Sequence, residues 1–322
     1  MNARRPLLLA IVALALGGCA AQAEPVARAA ERAPAAASVV AQTRVAANVV
    51  DLRVHSPALD RTVTVRLVTP RGWSDRRRTG RHWPVLYLLH GCCDTPQSWV
   101  DKTDVERLAR LRDVLVVTPD GGPVGFYSDW RGRDAAGRPA GWETFHLTEL
   151  RRLLERSYGA GRRRAIAGLS MGGFGALSYA GRHRGMFRAA ASFSGVVHPL
   201  QTPGAVTAIL TAFGEPPGAL WGDAQAQRAV WRAHDPYDLT RRLRGLPLYL
   251  SVGDGSAGPF DPPGRMDGTE RLLQPMNVAL AGRLRRLGIR ATTDFYGPGT
   301  HTWPYWQRSL HRALPMLLRA LR

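Results

Sequence analysis

The feature that most constrains the fold is an alternation of short apolar segments with helical stretches, from about residue 49 to the C-terminus. Several of the short segments are apolar on both faces, as are strands that helices cover on both sides of a sheet. Predicted strands cover residues 63–69, 84–89, 114–118, 165–167, 189–193, 248–252 and 290–295. Predicted helices cover residues 103–112, 143–157, 172–183, 269–287 and 304–321. This succession indicates an α/β fold with a mostly parallel, doubly wound sheet, beginning with an antiparallel strand over residues 63–69.

Residues 198–244 interrupt this alternation. The segment has one stretch with a helical pattern, near residues 223–233. Its helix breakers and large aromatic residues include Pro203, Pro216, Pro217, Trp221 and Trp231. We interpret the segment as an insertion over the active site, and a packed structural excursion is the alternative.

The N-terminus has the features of an export signal. Arg4 and Arg5 precede an apolar run over residues 7–16, which is followed by two glycines and Cys19. A charged start and a short apolar run are typical of a signal peptide, which we predict over residues 1–18. The small residues before Cys19 resemble a bacterial lipobox, which predicts that Cys19 is lipidated and anchors the exported protein to the cell membrane. Ordinary cleavage that yields a secreted protein is the alternative.

Residues 19–48 are rich in alanine, with scattered proline, glutamate and arginine. They show no sustained apolar period, so we predict a tether between the anchor and the folded domain. The catalytic domain is then expected over residues 49–322, a length that suits one large α/β domain.

The charge of the chain is strongly basic. A formal net charge of +19 arises from 44 basic and 25 acidic residues. Nucleic acid or an anionic surface could be inferred from such a balance. However, Lys102 is the only lysine, and no basic cluster is interleaved with aromatic residues as a nucleic-acid groove requires. We therefore interpret the arginines as solvated helix faces and expect no nucleic acid as a partner.

A serine between glycines follows the short predicted strand at residues 165–167. The sequence runs Gly168, Leu169, Ser170, Met171, Gly172 and continues into a predicted helix rich in small residues. In a nucleophile elbow the serine occupies a strained strand-to-helix turn, and the glycines prevent clashes with neighbouring chain. The serine Oγ then lies at a helix N-terminus, where free N–H groups can face a developing oxyanion. Strand, turn and helix together predict that Ser170 is a catalytic nucleophile.

The oxyanion hole is expected to combine two backbone N–H groups, those of Cys92 and Met171. Cys92 follows His90 and Gly91 at the end of the predicted strand over residues 84–89, and Met171 follows the nucleophile. We expect His90 to orient this loop rather than to act as a base. In folds with a nucleophile elbow, the histidine base follows the serine and the acid in the chain. Cys92 and the adjacent Cys93 are expected as free thiols, since a disulfide between neighbours is strained.

His301 is the candidate base. It lies in a loop after the last predicted strand and before the terminal helix, where its imidazole can reach Ser170. The acid is open at this point, because several carboxylates lie between residue 252 and His301 and the chemistry asks only for one that fixes the histidine tautomer. These carboxylates are Asp254, Asp261, Asp267 and Glu270. Position alone favours Asp254, directly after a strand.

Five short strings along the chain are unusual in combination. They are FYSDW (126–130), WETF (142–145), TEL (148–150), GLSM (168–171) and THTWPYW (300–306). In this order they resemble the antigen 85 mycolyltransferases and their esterase relatives, which are α/β-hydrolases. The resemblance extends from about residue 49 to the C-terminus. It implies an α/β-hydrolase fold and a triad of Ser170, Glu270 and His301, with Glu270 at the start of the helix after the late strand. Asp254 and Asp261 remain the reserve candidates for the acid.

The chain departs from the mycolyltransferases beside the oxyanion glycine. The resemblance implies an acidic residue before this glycine and an arginine two residues after it, both associated with the trehalose site. This chain has His90 and Cys93 at those positions, so recognition of trehalose is not expected.

The predicted chemistry is acyl transfer through an acyl-enzyme on Ser170. Water as acceptor makes the protein a serine carboxylesterase, and a sugar or another alcohol makes it an acyltransferase like the mycolyltransferases. A surface binding protein on a hydrolase scaffold is a third hypothesis, which an intact serine and histidine disfavour. No cofactor is expected, since Lys102 is not in a P-loop. No metal is expected, since the acids over residues 254–270 lack the spacing of a Ca²⁺ loop.

Overall fold

A nine-stranded sheet organises the residues described by the structure, a computed structural model that covers Met1, residues 36–75 and residues 79–322. The predicted lipidation site Cys19 and residues 2–18 of the predicted signal peptide lie outside the described residues. The strands are β1 (Ser38–Ala46), β2 (Val49–Ser56), β3 (Arg61–Val68), β4 (Trp83–Leu89), β5 (Leu115–Pro119), β6 (Ala160–Leu169), β7 (Ala190–Phe193), β8 (Leu248–Val252) and β9 (Thr292–Phe295).

The helices follow the predicted stretches in most places. They are α1 (Ser98–Asp101), α2 (Trp142–Thr144), α3 (Arg151–Ser157), α4 (Met171–Arg182), α5 (Pro203–Ala212), α6 (Arg228–His234), α7 (Gly268–Arg286) and α8 (Trp303–Leu321). A π-helix over Phe145–Leu150 joins α2 to α3. Single-turn or short 3₁₀ segments cover Trp73–Asp75, Val105–Arg107, Ala109–Leu111, Pro199–Gln201 and Asp238–Leu243. Among the described residues, no helix is long and apolar enough to cross a membrane.

The strand order is β1-β2-β3-β5-β4-β6-β7-β8-β9. The first three strands pair in antiparallel fashion and β3 pairs antiparallel to β5, whereas the remaining neighbours are parallel. The predicted α/β class and mostly parallel sheet are therefore confirmed.

The core lies on both faces of the sheet, as the apolar strands predict. In β4, Val85, Tyr87 and Leu89 face a cluster that includes α4 and α7, whereas Leu86 and Leu88 face a cluster built on α8. Side chains of successive strand residues point to opposite faces, so a strand buried on both sides is apolar throughout. This arrangement covers the sheet with helices on each side.

Two predicted segments differ from the structure. Residues 38–46 were expected to belong to the tether over residues 19–48, but they form the edge strand β1, which pairs with β2. β1 is exposed over most of its length, so backbone hydrogen bonds rather than an apolar pattern define it.

The predicted helix over residues 103–112 is replaced by the two 3₁₀ turns around Leu108. The side chain of Asn48 donates to the Glu106 carbonyl at 2.8 Å, and Leu108 is extended with ψ 110°. The extended conformation of Leu108 thus interrupts the helix, and a tertiary hydrogen bond from Asn48 satisfies the Glu106 carbonyl.

The insertion over residues 198–244 is a packed segment. Its fully buried Trp221 contacts Phe174 of α4, with ring centroids 5.4 Å apart, and also Phe126, at 5.8 Å. The insertion thus covers the helix that begins at the candidate nucleophile. The predicted helix near residues 223–233 is observed only in its second half, as α6, whereas α5 was not predicted.

Candidate active site

Parallel strands bring the candidate catalytic loops to one edge of the sheet. β4, β6, β7, β8 and β9 are successive parallel neighbours, so their carboxyl ends meet there. In open α/β sheets, ligands bind outside the carboxyl ends of the strands. Each loop that carries a candidate residue leaves one of these strands or leads into the helix that follows it.

Ser170 occupies the sharp turn between β6 and α4. Its backbone is strained, with φ 53° and ψ −120°, a conformation that a non-glycine residue adopts at a cost of about 1–3 kcal/mol. The flanking glycines have no room for a side chain. A Cβ at Gly168 would overlap the Gly172 carbonyl oxygen, and one at Gly172 would lie 2.6 Å from the His90 carbonyl oxygen. The sequence thus folds here as an elbow that only glycine at both positions permits.

Hydrogen bonds hold the backbone of Ser170 on both sides. Its N–H donates to the Phe193 carbonyl at 2.9 Å, and its carbonyl accepts from the N–H groups of Phe174, at 3.1 Å, and Val196, at 3.3 Å. The residue is largely buried, with 9% of its surface exposed. Met171 begins α4, so its N–H has no partner within the helix.

The loop after β4 passes directly beside the nucleophile. A Cβ built on Gly91 would lie 3.2 Å from the Ser170 Cβ, so the loop passes beside the elbow one residue before Cys92. A side chain at position 91 would crowd Ser170 and would also require the Leu169 side chain to move. The two predicted oxyanion donors, Cys92 and Met171, therefore flank Ser170 in sequence or in space.

His90 fixes this loop from within. It is buried, and its Nε2 accepts from the N–H of Gly121 at 2.9 Å, which leaves the proton on Nδ1 to be donated to the Gly91 carbonyl at 2.8 Å. Tyr127 Oη donates to the His90 carbonyl at 2.9 Å. Both ring nitrogens are thus used inside the protein, and His90 is not directed at Ser170 as a base.

His301 and Glu270 are joined by a hydrogen bond between the imidazole and the carboxylate. His301 Nδ1 lies 2.7 Å from Glu270 Oε2, and Glu270 is fully buried. The other carboxylate oxygen, Oε1, accepts from Ser194 Oγ and from the N–H of Gly253, each at 2.7 Å, and from Tyr296 Oη at 3.3 Å. These donors hold the carboxylate in one orientation, with Oε2 directed at His301 Nδ1. It therefore requires His301 to carry a proton on Nδ1.

The other candidate acids have different contacts. Asp254 Oδ1 accepts from the N–H and Oγ of Ser256, a local turn. Asp261 accepts from the hydroxyls of Thr300 and Tyr305, and although burial opposes ionisation, these hydrogen bonds keep its pKa below the ordinary value.

Asp267 contacts the backbone of both Glu270 and His301. It caps α7 by accepting from the Glu270 N–H at 2.9 Å, and its second oxygen accepts from the backbone N–H of His301 at 3.3 Å. It thus links the helix that carries the acid to the loop that carries the base. Of the four carboxylates, Glu270 is the one that contacts the imidazole.

Ser170 Oγ and His301 Nε2 are not joined by a hydrogen bond in the described contacts. The segment that follows β7 contacts both parts of the site. The Val196 N–H donates to the Ser170 carbonyl, and Ser194 Oγ donates to Glu270, the partner of His301. In ligand-free sites, catalytic hydrogen bonds are often long and tighten when substrate binds. The face of His301 is also fixed, because Trp306 packs edge-on against it with ring centroids 4.9 Å apart.

Two residues of this network were not singled out from the sequence. Ser194 has φ 47° and directs its Oγ to Glu270, while it also accepts from Trp306 Nε1 at 3.3 Å. Tyr296 reaches the same carboxylate from the loop after β9. A serine directly after the short strand β7 was the only sequence signal for the first, and none pointed to the second. No cluster of three or more His, Cys, Asp or Glu residues that could hold a metal ion occurs in the described ranges.

Comparison with known proteins identifies relatives for most of the chain. The model of a family described as "Putative esterase" matches residues 56–317. The chain is similar to Esterase Rv1288 of Mycobacterium tuberculosis, with 35% identity over 195 residues that cover 56% of this chain and 41% of that protein. The chain spans about two fifths of the length of this relative. It is also similar to the diacylglycerol acyltransferase/mycolyltransferase Ag85A of Mycobacterium tuberculosis, with 30% identity over 84% of this chain and 80% of that protein.

Solved structures give the same fold. A ferulic acid esterase is 26% identical, with a TM-score of 0.61 over 84% of this chain and 98% of the other. An S-formylglutathione hydrolase from Agrobacterium tumefaciens is 20% identical, with a TM-score of 0.68 over 88% and 99% of the two chains. At that identity the second likeness speaks for the fold alone. The expected α/β-hydrolase fold and the resemblance to the antigen 85 proteins are confirmed.

Proposed function

Because this chain belongs to the putative esterase family, whose relatives named above include esterases and acyltransferases, we propose that it is a serine carboxylesterase with the triad Ser170, Glu270 and His301. The observation that carries the proposal is the 2.7 Å contact between His301 Nδ1 and the fully buried Glu270. A base held in one tautomer, at the same sheet edge as a strained serine, is the arrangement that acyl transfer through serine requires.

In the first step Ser170 Oγ attacks the ester carbonyl carbon and its proton passes to His301 Nε2. The carbonyl oxygen becomes an oxyanion, which the N–H groups of Cys92 and Met171 stabilise. Glu270 stabilises the imidazolium that forms, without taking its proton. The proton then goes to the alcohol that leaves, and the acyl group remains on Ser170 as an ester.

In the second step water gives its proton to His301 and attacks the acyl-enzyme. The collapse of this tetrahedral intermediate releases the carboxylic acid and returns the proton to Ser170 Oγ. An alcohol in place of water would give a new ester instead. The triad is the same for hydrolysis and for transfer, so the acceptor site decides between them.

The surroundings of the oxyanion loop favour hydrolysis. His90 stands where the mycolyltransferase pattern implies an acidic residue, and both of its ring nitrogens are engaged inside the protein. It therefore offers a sugar acceptor neither a carboxylate oxygen nor a free ring nitrogen. Cys93 replaces the arginine of that pattern, which removes a second polar contact for an acceptor. The similarity to Ag85A over 84% of the chain keeps acyl transfer to a sugar or another alcohol as the second candidate function.

Two measurements test the proposal. Covalent labelling by a fluorophosphonate is expected for the wild type and not for Ser170→Ala, and a wild type that is not labelled would leave only the hypothesis of a surface binding protein. Acyl-ester substrates of increasing chain length, with and without candidate sugar acceptors, then separate the two enzymatic functions. Free acid as the main product in both conditions supports the esterase, and a dominant transfer product would replace it by the acyltransferase.

We also propose that the protein is exported and anchored by a lipid on Cys19. The support is the sequence alone: the charged start, the apolar run over residues 7–16 and the small residues before Cys19. An exported esterase would meet its acyl-ester substrate outside the cytoplasm and close to the membrane.

A further inference from the structure

Cys92 and Cys93 form a pair of adjacent thiols at the edge of the proposed oxyanion hole. Their sulfur atoms are 2.6 Å apart and unbonded, well inside ordinary contact distance. Cys93 is exposed and Cys92 is half-buried. The backbone between them is already bent, because Cys93 has φ 68° and donates its N–H to the Pro123 carbonyl at 3.3 Å. The loop therefore directs two thiols at each other beside Ser170.

We propose that Cys92 and Cys93 are a modification site, at which a low-molecular-weight disulfide reversibly oxidises the pair to a vicinal disulfide that lowers turnover at Ser170. The proposal rests on the proposed function for its effect on turnover. The formation of the disulfide itself depends only on the two thiols and their geometry.

The reaction proceeds by two thiol–disulfide exchanges. The Cys93 thiolate attacks one sulfur of the reagent, which forms a mixed disulfide and expels the other half as a thiolate. Cys92 then loses its proton and attacks the Cys93 sulfur, which expels the second half. Two electrons pass from the cysteine pair to the reagent, which leaves as two thiols with the two protons that the pair has lost.

The order of the two attacks follows from the environment of the thiols. Burial, together with the neighbouring Cys93 and Asp94, raises the pKa of the Cys92 thiol well above its ordinary value. A half-buried thiol that resists ionisation is a poor first nucleophile. Cys93 is exposed and meets the reagent first, and Cys92, already in contact with the Cys93 sulfur, resolves the mixed disulfide.

The disulfide is expected to be easily reduced. Neighbouring Cα atoms are about 3.8 Å apart, whereas ordinary disulfides join Cα atoms about 4.4–6.8 Å apart, and departures from this range make the bond more reducible. The pair is therefore suited to repeated oxidation and reduction rather than to a permanent structural bond.

Closure of the ring acts on the oxyanion hole through the backbone. The ring fixes the torsions of the peptide between Cys92 and Cys93, which stand directly after Gly91, and Gly91 lies against Ser170. Removal of one oxyanion donor costs about 10²–10³ in turnover. Displacement of the Cys92 N–H is a smaller change than its removal. We therefore expect oxidation to lower turnover by at least about tenfold, but by no more than the loss of a whole oxyanion donor would.

The test treats the full-length protein with oxidised glutathione and measures mass and turnover on the same sample. Trypsin cleaves after Arg81 and Lys102, so both cysteines fall in one peptide, residues 82–102, which excludes Cys19. We expect this peptide to lose the mass of two hydrogen atoms, hydrolysis of a short p-nitrophenyl ester to fall at least about tenfold, and dithiothreitol to reverse both changes. Cys93→Ser is the matched control, whose turnover should not respond to oxidised glutathione. Cys93→Asn, a residue that tolerates positive φ, replaces it if the melting temperature shows that the serine variant is unfolded.

Three results would overturn the proposal. The peptide could remain unchanged or carry only a glutathione adduct, which would mean that no vicinal disulfide forms. The disulfide could form with turnover within twofold of the reduced protein, or Cys93→Ser could lose activity to the same extent. If the reduced wild type neither turns over the ester nor reacts with a fluorophosphonate, the proposed function fails, and the proposed control of turnover fails with it. The peptide mass still decides independently whether the disulfide exists.

Discussion

Glu270→Gln tests the assignment of the triad acid most directly. Glu270 Oε1 accepts from the backbone N–H of Gly253 and from Ser194 Oγ, and the backbone donor cannot turn away. The amide oxygen of glutamine must therefore occupy this position. The amide NH₂ then faces His301 Nδ1, which can accept from it only if the imidazole proton moves to Nε2. In that tautomer His301 has no lone pair for the proton of Ser170.

The expected loss is large and can be separated from a loss of stability. A wrong tautomer in a serine triad lowers turnover by about 10⁴, which corresponds to about 5.5 kcal/mol of transition-state stabilisation. Exchange of the carboxylate for an amide also weakens hydrogen bonds worth about 1.5–3 kcal/mol each, so some destabilisation accompanies the kinetic effect. In a purely structural alternative, Glu270 only stabilises the start of α7. Glu270→Gln would then lower the free energy of unfolding by about 0.3–1 kcal/mol and leave kcat unchanged.

The assay compares Glu270→Gln with Asp254→Asn and Asp261→Asn in kcat for a short p-nitrophenyl ester and in melting temperature. Asp254 binds within its own turn and Asp261 binds the hydroxyls of Thr300 and Tyr305, so both variants are expected to stay within about tenfold of the wild-type rate. Retention of kcat within tenfold by Glu270→Gln would refute the tautomer argument. A loss of turnover on Asp254→Asn, with Glu270→Gln only lowering the melting temperature, would transfer the role to Asp254.

The remaining predictions concern the nucleophile, the base, the N-terminus and a buried histidine. Ser170→Ala should abolish ester turnover without loss of the fold, and activity within tenfold of the wild type would remove Ser170 from its role. His301→Ala should be equally damaging and the double variant hardly worse, because triad members act as a unit; additive losses would indicate another base. Cys19→Ala should release the protein from the membrane fraction, and equal solubility of both forms, without lipid, would contradict the anchor. Burial lowers the pKa of His146 from 6.5 to about 3, so the unfolded chain alone takes up this proton as the pH falls through that window. Stability should decline there by up to about 1.4 kcal/mol per pH unit through this group, and denaturant titrations of His146→Gln at several pH values should show a shallower decline.

Short-range patterns in the sequence were sufficient for the parallel strands and the elbow. The segments over β4, β5, β6, β7 and β8 are apolar because each strand is buried on both faces, and that property is readable in a few consecutive residues. The elbow was readable for a similar reason, since its serine and both of its glycines lie within the five consecutive residues 168–172.

Segments whose structure depends on distant partners were not readable in this way. β1 is an exposed edge strand, which the hydrogen bonds to β2 define rather than its own apolar pattern. The region before β5 has the pattern of a helix, but the chain is extended at Leu108, and the Asn48 side chain binds the Glu106 carbonyl from outside the segment. Such competition between a local pattern and a tertiary contact has no signature in the segment itself.

The proposed catalytic acid shows the same division most clearly. The four acidic residues from Asp254 to Glu270 are close in sequence, and local pattern alone favoured the first of them. The loop that carries His301 packs against the start of α7, where Asp267 binds the His301 backbone and Glu270 binds its ring. By itself, the sequence determined the α/β fold, and it predicted a serine, a histidine and some carboxylate in loops at the carboxyl edge of the sheet. Which carboxylate contacts the imidazole was decided only by the tertiary structure, because that contact joins residues on two separate elements whose relative placement depends on packing across the sheet.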